Sequence, residues 1–253
     1  MDLPVNKFKH AIASGQHQLG LWCSIPGSFA AEVNAGAGFD WLLFDTEHSP
    51  NDPIDVLPQL QAAAPYPVSA VVRPASNDAI LIKRFLDVGA QTLLVPYVQS
   101  AQEAAAAVAA TRYPPEGIRG VSGLTRASRF GRVANYARRA SEEICLLVQV
   151  ETGEAVEEIE KIAAVDGVDG IFIGPADLAA SLGYPGEPGH PEVISVVEAA
   201  IGRIHATGKP AGILTTDTIF AKRCIELGTL FTAVGIDLGL MARGAENLRK
   251  TFD

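Results

Sequence analysis

Eight short apolar runs, each followed by a stretch with the spacing of an amphipathic helix, succeed one another along the 253 residues. Runs that are continuously apolar, rather than alternating with polar residues, belong to strands covered on both faces. Such strands are predicted at 19–25, 41–45, 69–73, 92–95, 144–150, 170–173, 211–214 and 230–234. Helices are predicted at 7–14, 28–37, 53–64, 78–88, 101–110, 154–165, 176–182, 191–207, 217–227 and 238–249, with Pro53 well placed at a helix start. Strand and helix alternating in this way predict an α/β chain forming a single (β/α)8 TIM barrel, with an open doubly wound sheet as the alternative. No Pro- or Ser-rich linker divides the chain, so residues 1–253 are expected to form one domain.

Composition narrows the partners. A net charge of -9 and a pI near 5.1 argue against a nucleic-acid or anionic-membrane surface, while leaving room for a small anion held locally. The N-terminal residues lack an apolar signal core and no apolar run is long enough to span a bilayer, so the cytoplasm is the expected location. Cys23, Cys145 and Cys224 are far apart and form no C-x-x-C pair, as expected of reduced thiols.

The candidate chemistry lies at the C-terminal ends of the predicted strands, which share one rim of a parallel barrel. The fifth strand ends in Gln149-Val150-Glu151, and the sixth leads into Gly174-Pro175-Ala176-Asp177. Two hard oxygen ligands at matching places in successive units suggest a divalent metal; the alternative is that each acid caps the following helix. The second strand ends in Asp45-Thr46-Glu47-His48, the third in Arg73-Pro74 and the seventh in Leu214. Taken singly, His48 reads equally well as a loop residue and Arg73 as the partner of a surface acid. Together they put an acid/base imidazole, a fixed cation, an amide and two carboxylates on one rim. That set suits the stabilisation of an enolate derived from a metal-chelated 2-oxo acid.

Other chemistries lack their residues. The lysines at 83, 161, 209, 222 and 250 fall in helices or ahead of a strand, leaving no Schiff-base candidate on the rim. Gly36-Ala37-Gly38 fails the dinucleotide fingerprint because Trp41 occupies its third glycine position, and no zinc spacing of Cys and His occurs. His190, in a Gly/Pro-rich run, reads as part of a rigid surface loop. From 112 to 139 seven arginines stand against a single acid, Glu116. Lying between the fourth and fifth strands, that stretch is expected on the strand-to-helix side as a lid or subunit contact, or else as a solvated basic loop.

Several motifs together resemble the HpcH/HpaI aldolase family: Ala35-Gly36-Ala37-Gly38-Phe39-Asp40-Trp41, Asp45-Thr46-Glu47-His48, Val72-Arg73-Pro74, Arg112-Tyr113-Pro114-Pro115, Gln149-Val150-Glu151-Thr152 and Ile173-Gly174-Pro175-Ala176-Asp177-Leu178. The resemblance implies a (β/α)8 barrel that reversibly cleaves 4-hydroxy-2-oxo acids to pyruvate and an aldehyde, using Mg²⁺, Mn²⁺ or Co²⁺. It implies Glu151 and Asp177 as metal ligands, His48 as base and Arg73 as stabiliser of the enolate. Gln149, with the backbone at Ala176 and Asp177, resembles the pyruvate contacts. Asp87, which by its own pattern reads as a solvated helix charge, matches an acid that reaches a histidine of an adjacent subunit. This role implies a homo-oligomer, usually a hexamer. Thr46 stands where many relatives have glycine. An acyl-CoA lyase of the citryl- or malyl-CoA type and a non-catalytic 2-oxo-acid-binding protein are the alternatives.

Overall fold

The computed structural model describes residues 1–252. Helix α1 (Lys7–Ala13) precedes eight strands, β1 (Gln18–Cys23), β2 (Trp41–Asp45), β3 (Ser69–Arg73), β4 (Thr92–Val95), β5 (Cys145–Val150), β6 (Gly170–Ile173), β7 (Ala211–Leu214) and β8 (Thr229–Ile236). Each pairs in parallel with its sequence neighbour and β8 pairs with β1, closing the barrel. The open-sheet alternative is thereby excluded. Between the strands run α2 (Ser28–Ala35), α3 (Pro53–Ala63), α4 (Ala79–Asp87), α5 (Ala101–Thr111), α6 (Tyr136–Glu143), α7 (Gly153–Glu157), α8 (Ile159–Ala163), α9 (Pro175–Ser181), α10 (Pro191–Ala206) and α11 (Thr218–Glu226). α12 (Asp237–Lys250) follows β8.

Parity divides each strand between two cores. Leu42 and Phe44 of β2 face the helices, whereas Trp41 and Leu43 join Trp22, Val71, Leu94, Cys145, Leu147, Phe172 and Phe231 inside the barrel. α1 plugs the lower end of this inner core. Its Phe8 meets Trp41 and Phe231 edge to face, with ring centroids 5.7 and 5.9 Å away. Large rings fit because their neighbours are small: a Cβ on Gly20 would overlap the Trp41 indole, and one on Gly212 the Phe231 ring.

Three expectations need correction. Residues 136–143, expected as irregular chain, form α6, whose exposed polar face masked the helical period. The helix expected over 154–165 is broken at Glu158 into α7 and α8. The arginine-rich stretch is not on the strand-to-helix side. α5 intervenes after β4 and carries the chain back down, so residues 112–135 lie at the N-terminal end of the barrel, the end that α1 closes. α12 differs from the other long helices in burying only Asp237, and it exposes Leu238, Leu240, Met241 and Leu248. No helix among the described residues is long and apolar enough to cross a membrane.

Gly20→Ala should cost about 1–3 kcal/mol by displacing the Trp41 ring, read as a lower urea midpoint with an unchanged slope.

Candidate active site

The inward parity that builds the apolar plug continues upward into polar residues. Above Trp41 and Leu43 comes Asp45; above Val71 comes Arg73; above Cys145 and Leu147 come Gln149 and Glu151. Asp45 and Arg73 are register partners on adjacent strands, so their side chains meet on the inner face. The guanidinium donates from Nε to Asp45 Oδ1 and from Nη2 to Oδ2, each at 2.8 Å, while Nη1 lies 2.7 Å from Glu47 Oε2. Its plane sits over the Trp22 ring, 4.7 Å from the centroid. Arg73 is therefore not the partner of a surface acid. It is a buried cation fixed on three sides that keeps donors on both terminal nitrogens.

Carboxylates outnumber this cation. Burial works against ionisation of Asp45, but the hydrogen bonds and charge of Arg73, with help from the Glu47 amide and the Trp22 side chain, hold its carboxyl below the usual range. Glu47 moves the other way. Its burial, with Asp45 and Asp177 nearby, outweighs the attraction of Arg73 and His48 and raises its pKa. Glu151 is pushed up to about 7, chiefly by burial, against hydrogen bonds from Gln149 and the Tyr97 amide. Glu47 and Asp177 add to that rise by like-charge repulsion.

Glu151 is held in place at both oxygens. Gln149 Nε2 donates to Oε2, and the Tyr97 amide donates to Oε1 at 2.7 Å. Tyr97 has φ 55°, a left-handed conformation that turns this N–H inward. Thr152, not Glu151, caps the following helix by accepting from the Ala155 amide, which removes the capping alternative for Glu151. Asp177 lies in the first turn of α9 with its side chain exposed at the cavity, and no side-chain bond caps that helix. Gly174, next to Glu151, must lack a side chain: a Cβ there would stand 2.5 Å from Glu151 Oε2 and 2.9 Å from Gln149 Nε2.

Trp22, Asp45, His48, Arg73, Gln149 and Asp177 line a cavity of about 580 Å³, whose outer wall includes Leu214, Phe220 and Leu238. His48 stands at its mouth, 65% exposed, with Nε2 3.9 Å from Glu47 Oε2. Asp45 does not orient its ring, being taken up by Arg73. Thr46 donates its hydroxyl to the Arg73 carbonyl at 2.6 Å, adding to the bond of 3.1 Å from its backbone amide, which a glycine would also make. Asp87 is the exception among the expected residues. It ends α4 at the opposite end of the barrel, where Oδ1 accepts from the buried Arg119 Nη2 at 2.7 Å. Within one chain it cannot meet His48.

No group of three or more His, Cys, Asp or Glu side chains gathers in metal-binding geometry among the described residues. The donor set nevertheless fits a hard cation: two carboxylates, Glu151 and Asp177, repel one another across the site, and Gln149 Oε1 is buried with no hydrogen-bond partner.

Sequence patterns had not marked Trp22, Tyr97 or Asp237, and had named Gly174 within a motif without giving it a role. Asp237 follows β8 as the other acids follow their strands, which was the available signal; it accepts from the Ser24 amide at 2.8 Å and from Asn34 Nδ2 at 3.1 Å, fixing the loop after β1.

The closed parallel barrel with its polar rim defines a (β/α)8 fold with a candidate active site at the C-terminal ends of its strands, and comparisons with known proteins give the reaction class, a carbon–carbon lyase. The HpcH/HpaI aldolase/citrate lyase model matches residues 18–244, and the chain belongs to that family. It is 69% identical over 252 residues to a pyruvate aldolase of Rhizobium etli, covering 100% of this chain and 99% of that one. It is 57% identical to a 4-hydroxy-2-oxo-heptane-1,7-dioate aldolase of Salmonella paratyphi B, covering 98% and 94%. A crystal structure of an HpcH/HpaI aldolase/citrate lyase family protein from Burkholderia cenocepacia superposes with a TM-score of 0.94 at 39% identity, covering 98% and 100%.

Asp45→Ala should destabilise the fold by about 3 kcal/mol, because it strands Arg73 beside the barrel core. Chemical unfolding measures the loss, and a stability equal to wild type would mean that Glu47 and Trp22 hold the cation alone.

Proposed function

We propose that the chain is a divalent-metal-dependent aldolase that reversibly cleaves 4-hydroxy-2-oxo acids into pyruvate and an aldehyde, with residues 1–253 acting as a single domain. The observation that carries this reading is the buried Arg73, clamped by Asp45, Glu47 and Trp22, in one cavity with Asp177 and with Gln149, which donates to Glu151 behind it. Relatives named for pyruvate and heptanedioate aldolase activity cover almost the whole chain, which favours the oxo-acid reading over an acyl-CoA lyase.

Glu151 and Asp177 would hold Mg²⁺, Mn²⁺ or Co²⁺. A bound cation would supply Lewis-acid polarisation of a chelated 2-oxo acid. The chain's own residues do the rest. Gln149 and the first-turn amides of Ala176 and Asp177, which have no acceptor within their helix, bind the pyruvate carboxylate. Arg73 presents its remaining donors to the oxygen that gains negative charge as the enolate forms, without reorganising, because three contacts already fix it. His48 takes the proton of the C4 hydroxyl in cleavage and the methyl proton of pyruvate in the reverse direction. Leu214 and Phe220 give the aldehyde end an apolar wall.

Asp87 serves this scheme only across a subunit boundary, within a homo-oligomer that the resemblance makes a hexamer. The exposed apolar residues of α12 support assembly.

Exhaustive chelation should abolish aldol cleavage, with Mg²⁺ or Mn²⁺ restoring it; unchanged turnover in metal-free protein would remove the metal from the scheme. Arg73→Ala should lower kcat by roughly 10²–10³-fold with the circular dichroism spectrum retained. A panel of aldehydes assayed with pyruvate under metal supplementation tests the reaction itself, and absence of condensation with every member would overturn it.

A further inference from the structure

A second cavity, of about 320 Å³, lies at the opposite end of the barrel. Its walls are the entry to α1, the starts of β3 and β4, and residues 126–129 of the arginine-rich stretch. Its charged lining residues are Lys7, Arg126 and Arg129, and no Asp or Glu lines it. In a chain with 29 acidic and 20 basic residues, that segregation of charge is against the average. Three other arginines of the same stretch have carboxylate partners, Arg112 with Asp166 at 2.9 Å, Arg119 with Asp87 at 2.7 Å and Arg139 with Glu142 at 3.2 Å, whereas Arg132 and Arg138 lie outside this cavity and have none among the described residues. Lys7, Arg126 and Arg129 have none among the described residues.

Arg126 is held in place even so. Its Nη1 donates to the Val88 carbonyl at 2.9 Å, and the guanidinium lies against the Gly89 backbone, where a Cβ would stand 2.5 Å from Nη1. Gly89 has φ 98°, so the turn both requires glycine and makes room for the cation. Burial, and then the like charge of Arg129, disfavour the ionised form of Arg126. Two neighbouring guanidiniums and an ammonium around a cavity, without a counter-charge from the chain, make a receptor for negative charge.

We propose that this lower cavity is an anion site, taking a compact dianion of the phosphate or dicarboxylate class between Lys7, Arg126 and Arg129. The bound anion ties residues 126–129 to α1 and to the floor of the barrel. The site lies at the opposite end of this chain's barrel from the catalytic cavity, and the proposal does not rest on the aldolase reading.

Isothermal titration calorimetry with inorganic phosphate in one arm and succinate in the other, at ionic strength matched with chloride, tests it on the full-length protein. Saturable binding of either is expected, at least roughly tenfold weaker in Arg126→Gln/Arg129→Gln. Phosphate alone, succinate alone or both identify the accepted class. Arg129→Gln by itself keeps the Arg126 bond to Val88 and should weaken binding roughly threefold, which covers the case of a double variant that misfolds. Equal affinity in wild type and variants would assign the anion to another site, and no saturable heat for either probe would remove the site altogether. Dissociation of the oligomer by the single substitution, seen by light scattering, would also overturn the proposal by giving these cations to a subunit contact.

Discussion

The two-residue period of eight strands in a closed barrel is the constraint from which the rest follows. Once Trp41, Trp22, Phe172 and Phe231 are committed to the interior, every second residue above them must also point inward. Asp45, Arg73, Gln149 and Glu151 are therefore aimed at one small volume, with no further choice left to their backbones. The aromatic layer beneath them is closed by Phe8 of α1, so the polar layer has an apolar floor.

That floor gives the electrostatics their weight. Four carboxylates, Asp45, Glu47, Glu151 and Asp177, act on one another around a single buried guanidinium. Arg73 satisfies Asp45 fully and Glu47 in part, which splits two acids only two residues apart: one is held ionised, the other is driven toward protonation. Glu151 receives hydrogen bonds from Gln149 and the Tyr97 amide, which burial and the like charges of Glu47 and Asp177 outweigh. A donor set of this kind is unfavourable by itself and becomes favourable when a cation joins it.

The two cavities differ in the charge that lines them. The upper rim gathers carboxylates, whereas the lower end carries Lys7, Arg126 and Arg129 around a cavity without acids. The difference has a topological origin: α5 returns the chain to the lower end before the arginine-rich stretch begins, and the Asp87–Arg119 pair anchors that stretch to the end of α4. Asp87 is thereby separated from His48 of its own chain by the height of the barrel.

The alternation of apolar runs and helical patterns was enough to favour the barrel over an open sheet, because each strand buried on both faces and each amphipathic helix has few ways to cover the other, and the pairing of β8 with β1 decided between them. The rim acids and Arg73 were legible for the same reason, since the end of a parallel strand is a position that can be counted. What a linear pattern does not carry is the pairing of side chains across strands or the direction of a long connection. The Asp45–Arg73 clamp, the Trp22 ring over it, the Tyr97 amide turned onto Glu151 and the space kept open at Gly174 depend on register and close approach. The sequence by itself determined which residues reach the rim. Only the tertiary structure decided which charges touch, because contact distance in a low-dielectric interior, rather than spacing along the chain, sets their interaction.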